Sequence, residues 1–348
     1  MHHNYNLGNI QEFDNHKLIT HFYDNRSGLH GFIAIHRGNG RHPSFGATRL
    51  WDYSTEQDAL KDALRLSRAM SYKAAISGLK YGGAKAVLIK NGSINKEKFL
   101  RCYAEKVNFL SGNFITGTDV GISDDDVKKL RRRSKYFVGV KTEPARYTGL
   151  GVFYALEACM ANKFGETNLT GKSIAIQGVG KTGSELLKLV YGRAAKVYVT
   201  DIDKQLLKKI KVRFPKVTTV DPQRIHLTKV DIFAPCALNH VINEHTISKL
   251  KCSIVCGSAN NQLENESLSE ALRVMGIVYA PDFVANAGGL ISVVDEYEYG
   301  NYRIKRVQKR IKIIKRNMNK ILGESKQKSL STDKVARKIA ENRFKAYI

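Results

Sequence analysis

No apolar run in the 348 residues approaches the roughly 20 that a membrane-spanning helix needs. The opening stretch, Met1-His2-His3-Asn4-Tyr5-Asn6, has no apolar core of the kind a secretion signal carries, so the expected location is the cytoplasm. Cysteine is scarce and poorly placed for cross-linking. Cys102, Cys159, Cys236, Cys252 and Cys256 are odd in number and scattered, which excludes a disulfide framework. Cys252 and Cys256 lack a Cys-x-x-Cys spacing and a neighbouring histidine cluster, so they are expected to be buried reduced thiols, and no metal is expected. Internal repeats and low-complexity tracts are absent too. Acid is in deficit: 32 Asp and Glu face 57 Lys and Arg, for a net charge of +25.

Such an excess can mark a nucleic-acid partner. Its distribution argues against one. Residues 303–348 carry 16 basic and three acidic side chains, about half of the excess. There Arg303, Lys305, Arg306, Lys309, Arg310, Lys312, Lys315 and Arg316 are interrupted by Ile304, Val307, Ile311, Ile314 and Ile321 at helical spacing. That is the pattern of helices with one buried and one solvated face. Arg131-Arg132-Arg133 suits a helix end, where cations complement the dipole. Basic residues are not interleaved with aromatics in the RNA-binding manner. The expected partner is a small molecule, with neither membrane nor nucleic acid.

What is present suits a soluble α/β protein. Hydrophobic residues make up 43% and charged residues 26%, and the length allows about two domains. Leu18–Tyr23 and Leu29–Ile35 flank the turn cluster Asp24–Gly28, a hairpin pattern. A helix is expected from about Thr55, as N-cap, to Tyr72. Ala86–Ile89 is a short strand, Asn95–Leu110 a helix, Asn113–Thr116 a strand and Ser123–Arg133 a helix. The pattern breaks over residues 141–149, around Pro144, a candidate domain junction. Beyond it strands and helices alternate, which favours a parallel sheet with helices on both faces.

The strand Ser173–Gln177 runs into Gly178-Val179-Gly180-Lys181-Thr182-Gly183 and then into an apolar helix. The next strand, Lys196–Thr200, ends at Asp201. This is the context in which Gly-x-Gly-x-x-Gly binds a dinucleotide. Gly178 permits the tight turn, Gly180 lets the backbone approach a pyrophosphate, and Gly183 allows close helix–strand packing. The helix N-terminus at Lys181 and Thr182 supplies N–H donors. Asp201 would accept from the ribose hydroxyls and repel a 2′-phosphate, favouring NAD over NADP, although Lys204 works against that preference. Asp231–Ala237, Ile254–Asn261 and Pro281–Gly289 each look like a strand running into a loop at the carboxyl edge of the same sheet. Ala237, Asn260 and Asn261 would therefore face the cofactor. Taken singly, each asparagine is equally a turn residue.

Earlier in the chain, Lys73 and Lys85 bracket a glycine-marked stretch through Gly78, Gly82 and Gly83, expected to be a turn that a ligand or a neighbouring backbone can approach closely. One ammonium could hold a carboxylate and the other move a proton, provided burial or a nearby cation lowers its pKa. Surface lysines would look the same.

Several stretches together are more specific: Gly78-Leu79-Lys80-Tyr81-Gly82-Gly83-Ala84-Lys85, Thr118-Asp119-Val120-Gly121, Ala234-Pro235-Cys236-Ala237-Leu238, Gly257-Ser258-Ala259-Asn260-Asn261-Gln262-Leu263 and Ala280–Gly289. On these the chain resembles the Glu/Leu/Phe/Val dehydrogenase family, most of all its leucine dehydrogenase branch, from about residue 15 to about 345. The resemblance implies NAD-dependent, reversible oxidative deamination of an L-amino acid to its 2-oxo acid and ammonia. It implies a substrate-binding and oligomerisation domain over 1–142, completed by a C-terminal helix over about 318–348. The Rossmann-type NAD domain would span 148–317, hinge closure would unite the two, and the chain would form a homo-oligomer. Carried over by position, Lys85 would be the general base, and Asp119 would bind the amino group and shuttle protons. Lys73 would hold the substrate carboxylate with the backbone at Gly46, Asn286 would orient the substrate, and Val293 would contact its side chain.

Two departures bear on the substrate. Phe45 precedes Gly46-Ala47-Thr48-Arg49 where the branch has a smaller aliphatic residue, and Gly117 replaces the usual alanine. Both would line the side-chain pocket. The Gly-Ala-Thr-Arg form also resembles relatives that act on aromatic amino acids. Leucine, valine and isoleucine are the expected substrates, with phenylalanine or tryptophan as the alternative. A non-catalytic NAD-sensing protein on the same fold is the rival from another class.

Overall fold

The structure, a computed structural model, describes residues 7–38, 41–90, 92, 95–237 and 240–345. The chain divides into two compact units. Unit 1 comprises Met1–Thr142, Glu296–Asn301 and Ala340–Ile348; unit 2 comprises Glu143–Asp295 and Tyr302–Ile339.

Unit 1 is built on a mixed sheet with helices on both faces. Strands β1 (Leu18–Asp24) and β2 (Leu29–Arg37) form the hairpin, paired in register from Leu18↔Ile35 to Asp24↔Leu29. Two short strands follow, β3 (Ser44–Phe45) and β4 (Thr48–Trp51), then the long helix α1 (Glu56–Ile76). Thr55 caps α1 by accepting from the Asp58 amide at 3.1 Å, and Glu56 and Asp58 place acid in the first turn, where the dipole favours it. Next come β5 (Gly82–Ile89), α2 (Lys96–Phe109), β6 (Phe114–Ile115) and α3 (Asp124–Arg131), whose start is closed by a reciprocal capping box between Ser123 and Asp126. The strand order is β1-β2-β5-β3-β6, with β4 also on β5.

Alternation along β5 sorts the two cores. Ala84, Ala86 and Leu88 face a cluster that includes Phe99 and Tyr103 of α2 and Phe137. Val87 and Ile89 face Ala59, Leu60, Ala63 and Leu64 of α1. A period of two places Lys85 on the α1 side. Of the glycine stretch expected to be a turn, Gly78 does turn, at φ 69°, whereas Gly82 and Gly83 open a buried central strand. The reason is close approach: a Cβ on Gly82 would lie 1.8 Å from the Arg37 oxygen, and one on Gly83 would lie 2.0 Å from the Ser71 amide nitrogen.

Unit 2 opens with α4 (Pro144–Phe164), with proline in its first turn and Gly165 at φ 77° closing its end. It continues through β7 (Ser173–Gln177), α5 (Lys181–Val190), β8 (Lys196–Thr200), α6 (Lys204–Arg213), β9 (Thr218–Thr219), β10 (Ile232–Pro235), β11 (Ile254–Val255), α7 (Leu268–Val274), β12 (Val278–Tyr279) and α8 (Asp282–Ala285). All strand pairs are parallel, in the order β12-β11-β10-β7-β8-β9. Read from the other edge this is third, second, first, fourth, fifth, sixth, the doubly wound dinucleotide-binding order. Helix α9 (Gly288–Tyr299) carries Asp295 and Glu296 on either side of the division. The tail forms α10 (Ile304–Ile311), α11 (Ile313–Lys328) and α12 (Thr332–Lys345). Val307, Ile311, Ile314, Met318 and Ile321 are its buried stripe. Tyr302–Ile339 is grouped with unit 2 and Ala340–Ile348 with unit 1. Among the described residues, no helix is long and apolar enough to cross a membrane.

Candidate active site

In unit 1 the chemistry gathers on the α1 side of the sheet. Lys85 is 5% exposed, and its Nζ donates to Asp119 Oδ2. Asp119 lies beyond β6, along a segment held beside β4: Thr48 N–H donates to the Gly117 oxygen at 3.0 Å and Leu50 N–H to the Val120 oxygen at 2.9 Å. Beneath it the Thr48 hydroxyl meets Tyr103 Oη at 2.6 Å and Thr116 Oγ1 at 2.8 Å, a buried cluster that fixes β4 against this segment. Arg49, the next residue of β4, donates from Nε to Asp119 Oδ2 at 3.3 Å and from a terminal nitrogen to Asp62 Oδ2 on α1 at 2.9 Å. Asp62 also takes the Tyr53 hydroxyl and Arg65. Lys85, Asp119, Arg49 and Asp62 thus form a row of alternating charge.

The row tunes its members. Burial pushes the Lys85 ammonium below its ordinary value and Arg49 pushes the same way, with Asp119 opposing them. Burial alone would raise Asp119, but Lys85 and Arg49 outweigh it and hold the carboxyl down at about 2. Burial would likewise raise Asp62, and Arg49 and Arg65 reverse that. The result is a carboxylate that rests ionised beside an amine whose proton is loosened, the pairing an acid–base step needs.

Lys73 sits in the last turn of α1, the helix that passes over Gly83 and so over the strand carrying Lys85. Gly46 donates its N–H to the Ile115 oxygen at 2.9 Å, so that amide has no proton left for a carboxylate. Its lack of a side chain is a matter of clearance, since a Cβ would lie 2.1 Å from the Ala84 oxygen. Phe45 is fully buried, its ring edge-on to Tyr81 at 4.7 Å and to Tyr297 at 5.2 Å between centroids. A Cβ on Gly117 would meet the Val138 carbonyl oxygen at 3.0 Å, so the missing methyl relieves a contact with backbone.

Unit 2 holds the residues expected to bind the nucleotide. Gly178 lies at φ 92° between β7 and α5, and a Cβ there would strike Ala237 at 2.5 Å. Gly178 and Ala237 thus close the carboxyl ends of β7 and β10, the two strands between which the order reverses, where open α/β sheets bind ligands. A Cβ on Gly183 would lie 2.0 Å from the Gly178 oxygen, whereas one on Gly180 meets nothing within 4 Å. Gly180 therefore leaves open space at the start of α5, where no side chain caps the first turn at Lys181 and Thr182. Open space and an uncapped helix N-terminus fit a pyrophosphate. Asp201, at the end of β8, accepts the Val179 amide at 2.9 Å and the Asp203 amide at 3.0 Å, which fixes its carboxylate beside the glycine turn. Thr182 Oγ1 pairs with Ser258 Oγ at 2.9 Å. Asn286 donates to the Ser258 oxygen at 3.2 Å and to Asn260 Oδ1 at 3.0 Å, while its own Oδ1 is buried without a hydrogen-bond partner among the described residues. Asn261 adopts φ 49°, the left-handed conformation asparagine tolerates. Val293 is half-buried on α9.

The structure thus gathers Lys85 and Asp119 in unit 1 and places Asn286 and Val293, expected at the substrate, with the nucleotide residues of unit 2. Arg49 and Asp62 were not singled out from sequence. Arg49 stood in a quoted motif, but nothing local linked it to an aspartate 13 residues later on a helix.

Comparison with known proteins agrees over nearly the whole length. Residues 139–346 match the family described as Glutamate/Leucine/Phenylalanine/Valine dehydrogenase, and residues 16–136 match the Glu/Leu/Phe/Val dehydrogenase dimerisation domain. The L-tryptophan dehydrogenase of Nostoc punctiforme is 40% identical over 333 residues, covering 94% of this chain and 93% of that one. The leucine dehydrogenase of Bacillus cereus is 38% identical over 342 residues, covering 96% and 92%. The crystal structure of the Nostoc enzyme superposes with a TM-score of 0.81 at 39% identity, covering 95% of this chain and 96% of that one.

Proposed function

This chain belongs to the Glutamate/Leucine/Phenylalanine/Valine dehydrogenase family and is an amino-acid dehydrogenase, and we propose that it carries out the reversible oxidative deamination of a branched-chain aliphatic L-amino acid with NAD. The overall change is L-amino acid, NAD⁺ and water to 2-oxo acid, ammonium, NADH and a proton. The buried Lys85–Asp119 pair carries this reading.

A bound nicotinamide dinucleotide, the family's cofactor, supplies the hydride acceptor. The chain supplies the rest. Lys73 holds the substrate carboxylate. Asp119, kept ionised by Lys85 and Arg49, takes the ammonium of the substrate and receives its proton. Loss of hydride from Cα leaves an iminium carbon. Lys85, in its neutral form, which burial favours, accepts a proton from the water that attacks that carbon and returns it to the nitrogen of the carbinolamine; as the C–N bond breaks and the carbonyl forms, Lys85 takes the hydroxyl proton and ammonia leaves. Asn286 turns its unpaired Oδ1 toward a donor of the substrate or cofactor. Asp201 supports NAD over NADP, because its carboxylate opposes a 2′-phosphate.

The surroundings of Phe45 and Gly117 support an aliphatic substrate. Neither departure from the leucine dehydrogenase pattern adds room on the substrate side: Gly117 answers to the Val138 carbonyl, and Phe45 is engaged by Tyr81 and Tyr297. The aromatic reading draws on the likeness to the Nostoc enzyme. We further propose a cytoplasmic homo-oligomer, supported by the match of residues 16–136 to a dimerisation domain.

NADH formation across a panel of L-amino acids, with NAD and NADP in parallel, tests the assignment. Leucine, valine and isoleucine should give the highest kcat/KM. Preference for tryptophan or phenylalanine would move the substrate to the aromatic class, and no turnover by folded, NAD-binding protein would support the sensing alternative. Lys85→Ala should lower kcat by about 10³-fold, on the scale of general base removal, and leave NAD affinity unchanged.

A further inference from the structure

One cluster in unit 1 has no part in this chemistry. On the antiparallel hairpin, Tyr23 lies opposite His30 and Phe32 opposite His21, which puts both histidines on the sheet face that packs against α1. Glu56, the first residue of α1, reaches the same point. His21 Nε2 and His30 Nε2 are 2.9 Å apart. Glu56 Oε2 is 3.2 Å from His30 Nε2, and Glu56 Oε1 is 3.7 Å from His21 Nε2. No other group of three such ligands among the described residues has this convergence.

We propose that His21, His30 and Glu56 bind a divalent transition-metal ion of the zinc class. In a tetrahedral zinc site with ligands about 2.0–2.1 Å from the metal, the donor atoms stand about 3.3 Å from one another. The two separations made by His30 Nε2, 2.9 and 3.2 Å, lie within a few tenths of an ångström of that value, and one donor atom from each of the three residues lies within 4.8 Å of the others, so an ion fits among them with small side-chain adjustments. Two imidazoles and one carboxylate are also the donor set that prefers zinc-class ions to magnesium or calcium. Glu56 Oε1 is buried and has no hydrogen-bond partner among the described residues, an oxygen that an ion would satisfy. The supports are rigid: the His21 ring stacks on Phe32 at 4.5 Å, and the His30 ring stands edge-on to Tyr23 at 5.3 Å. The His21 side chain is 40% exposed, which leaves an approach for the ion and a fourth position for water. The ion would tie the β1–β2 hairpin to the start of α1.

The test uses the full chain, stripped with chelator and titrated calorimetrically with zinc chloride and, separately, magnesium chloride. Wild type should bind one zinc equivalent tightly, melt at a higher temperature with it, and ignore magnesium. His30→Ala and Glu56→Gln should each weaken zinc binding by at least about tenfold, the scale on which even groups behind metal ligands act. Should either variant fold poorly, His21→Asn at the exposed position should give the same loss. Absence of zinc binding by wild type overturns the proposal. So does unchanged affinity in the three variants, which would place the ion elsewhere, at His2 and His3 for example.

Discussion

At the scale of single residues, Arg49 decides more than its exposure suggests. It is the second cation on Asp119, and from one residue further along the row it adds to the burial that lowers Lys85. Arg49→Gln removes a positive charge that opposes protonation of Lys85, so the Lys85 pKa should rise. The acidic limb of kcat/KM should therefore move to higher pH, and a pH–rate profile reads this directly; a limb that stays in place would show that burial alone sets Lys85. Asp119 adds a second pH signature. Its folded value, about 2, lies below the ordinary 3.8, so its contribution to stability is complete above that ordinary value and is lost as pH falls from there toward 2. Residue identity was the most legible level. Gly178, Gly180, Gly183 and Asp201 announce themselves because their roles are local to one turn and the next strand end. The Lys85–Asp119 contact spans 34 residues and came only through family resemblance. Arg49 with Asp62, and the two histidines with Glu56, join strands to a helix and left no periodic trace.

At the scale of elements, glycine was the hard residue to interpret. Gly82 and Gly83 suggested a turn, because a turn and a crowded strand both require the absence of a Cβ and a sequence does not say which. The crowding sets a test. Gly83→Ala would drive a methyl into the α1 backbone at Ser71, a contact with no side chain free to yield. The expected cost is about 1–3 kcal/mol or more, read as a lower melting temperature with a parallel fall in activity as α1, which carries Lys73, is displaced. An alanine variant of unchanged stability would show that the helix is not seated so closely on β5. The helices themselves were well signalled, since Thr55 and Ser123 are caps by residue type. The basic tail was read correctly as helices with one buried face. What it hid is that part of its charge is structural: Arg306 and Arg310 clamp Asp295, which is fully buried, and Lys315 pairs with Glu157. These pairings join residues far apart in sequence or on successive helices.

At the scale of the whole molecule, half of the excess charge lies on the tail helices, where Asp295 and Glu157 from outside the tail offset some of it, so the tail is locally less positive than its own residues imply while the net charge of the chain stays at +25. If residues 16–136 associate as the matched domain's description indicates, light scattering on the purified chain should return an integral multiple of the chain mass, stable to added salt. A monomer at micromolar concentration would remove the homo-oligomer.

The path of the chain has a consequence of another kind. Unit 1 ends at Thr142 and resumes at Glu296, and the Glu296 carboxylate accepts the amides of Gly139, Val140, Lys141 and Thr142, from 2.9 to 3.3 Å. Lys141 Nζ adds a bond to the Gly300 oxygen at 2.6 Å. The point of departure and the point of return are stitched together by one acid. Seen from unit 1, the chain leaves and re-enters at adjoining points, while α9 runs on through the re-entry and Tyr302–Ile339 goes back to unit 2. Loss of that one carboxylate would leave four backbone N–H groups without their acceptor at once, and so loosen the exit and the re-entry of the chain together.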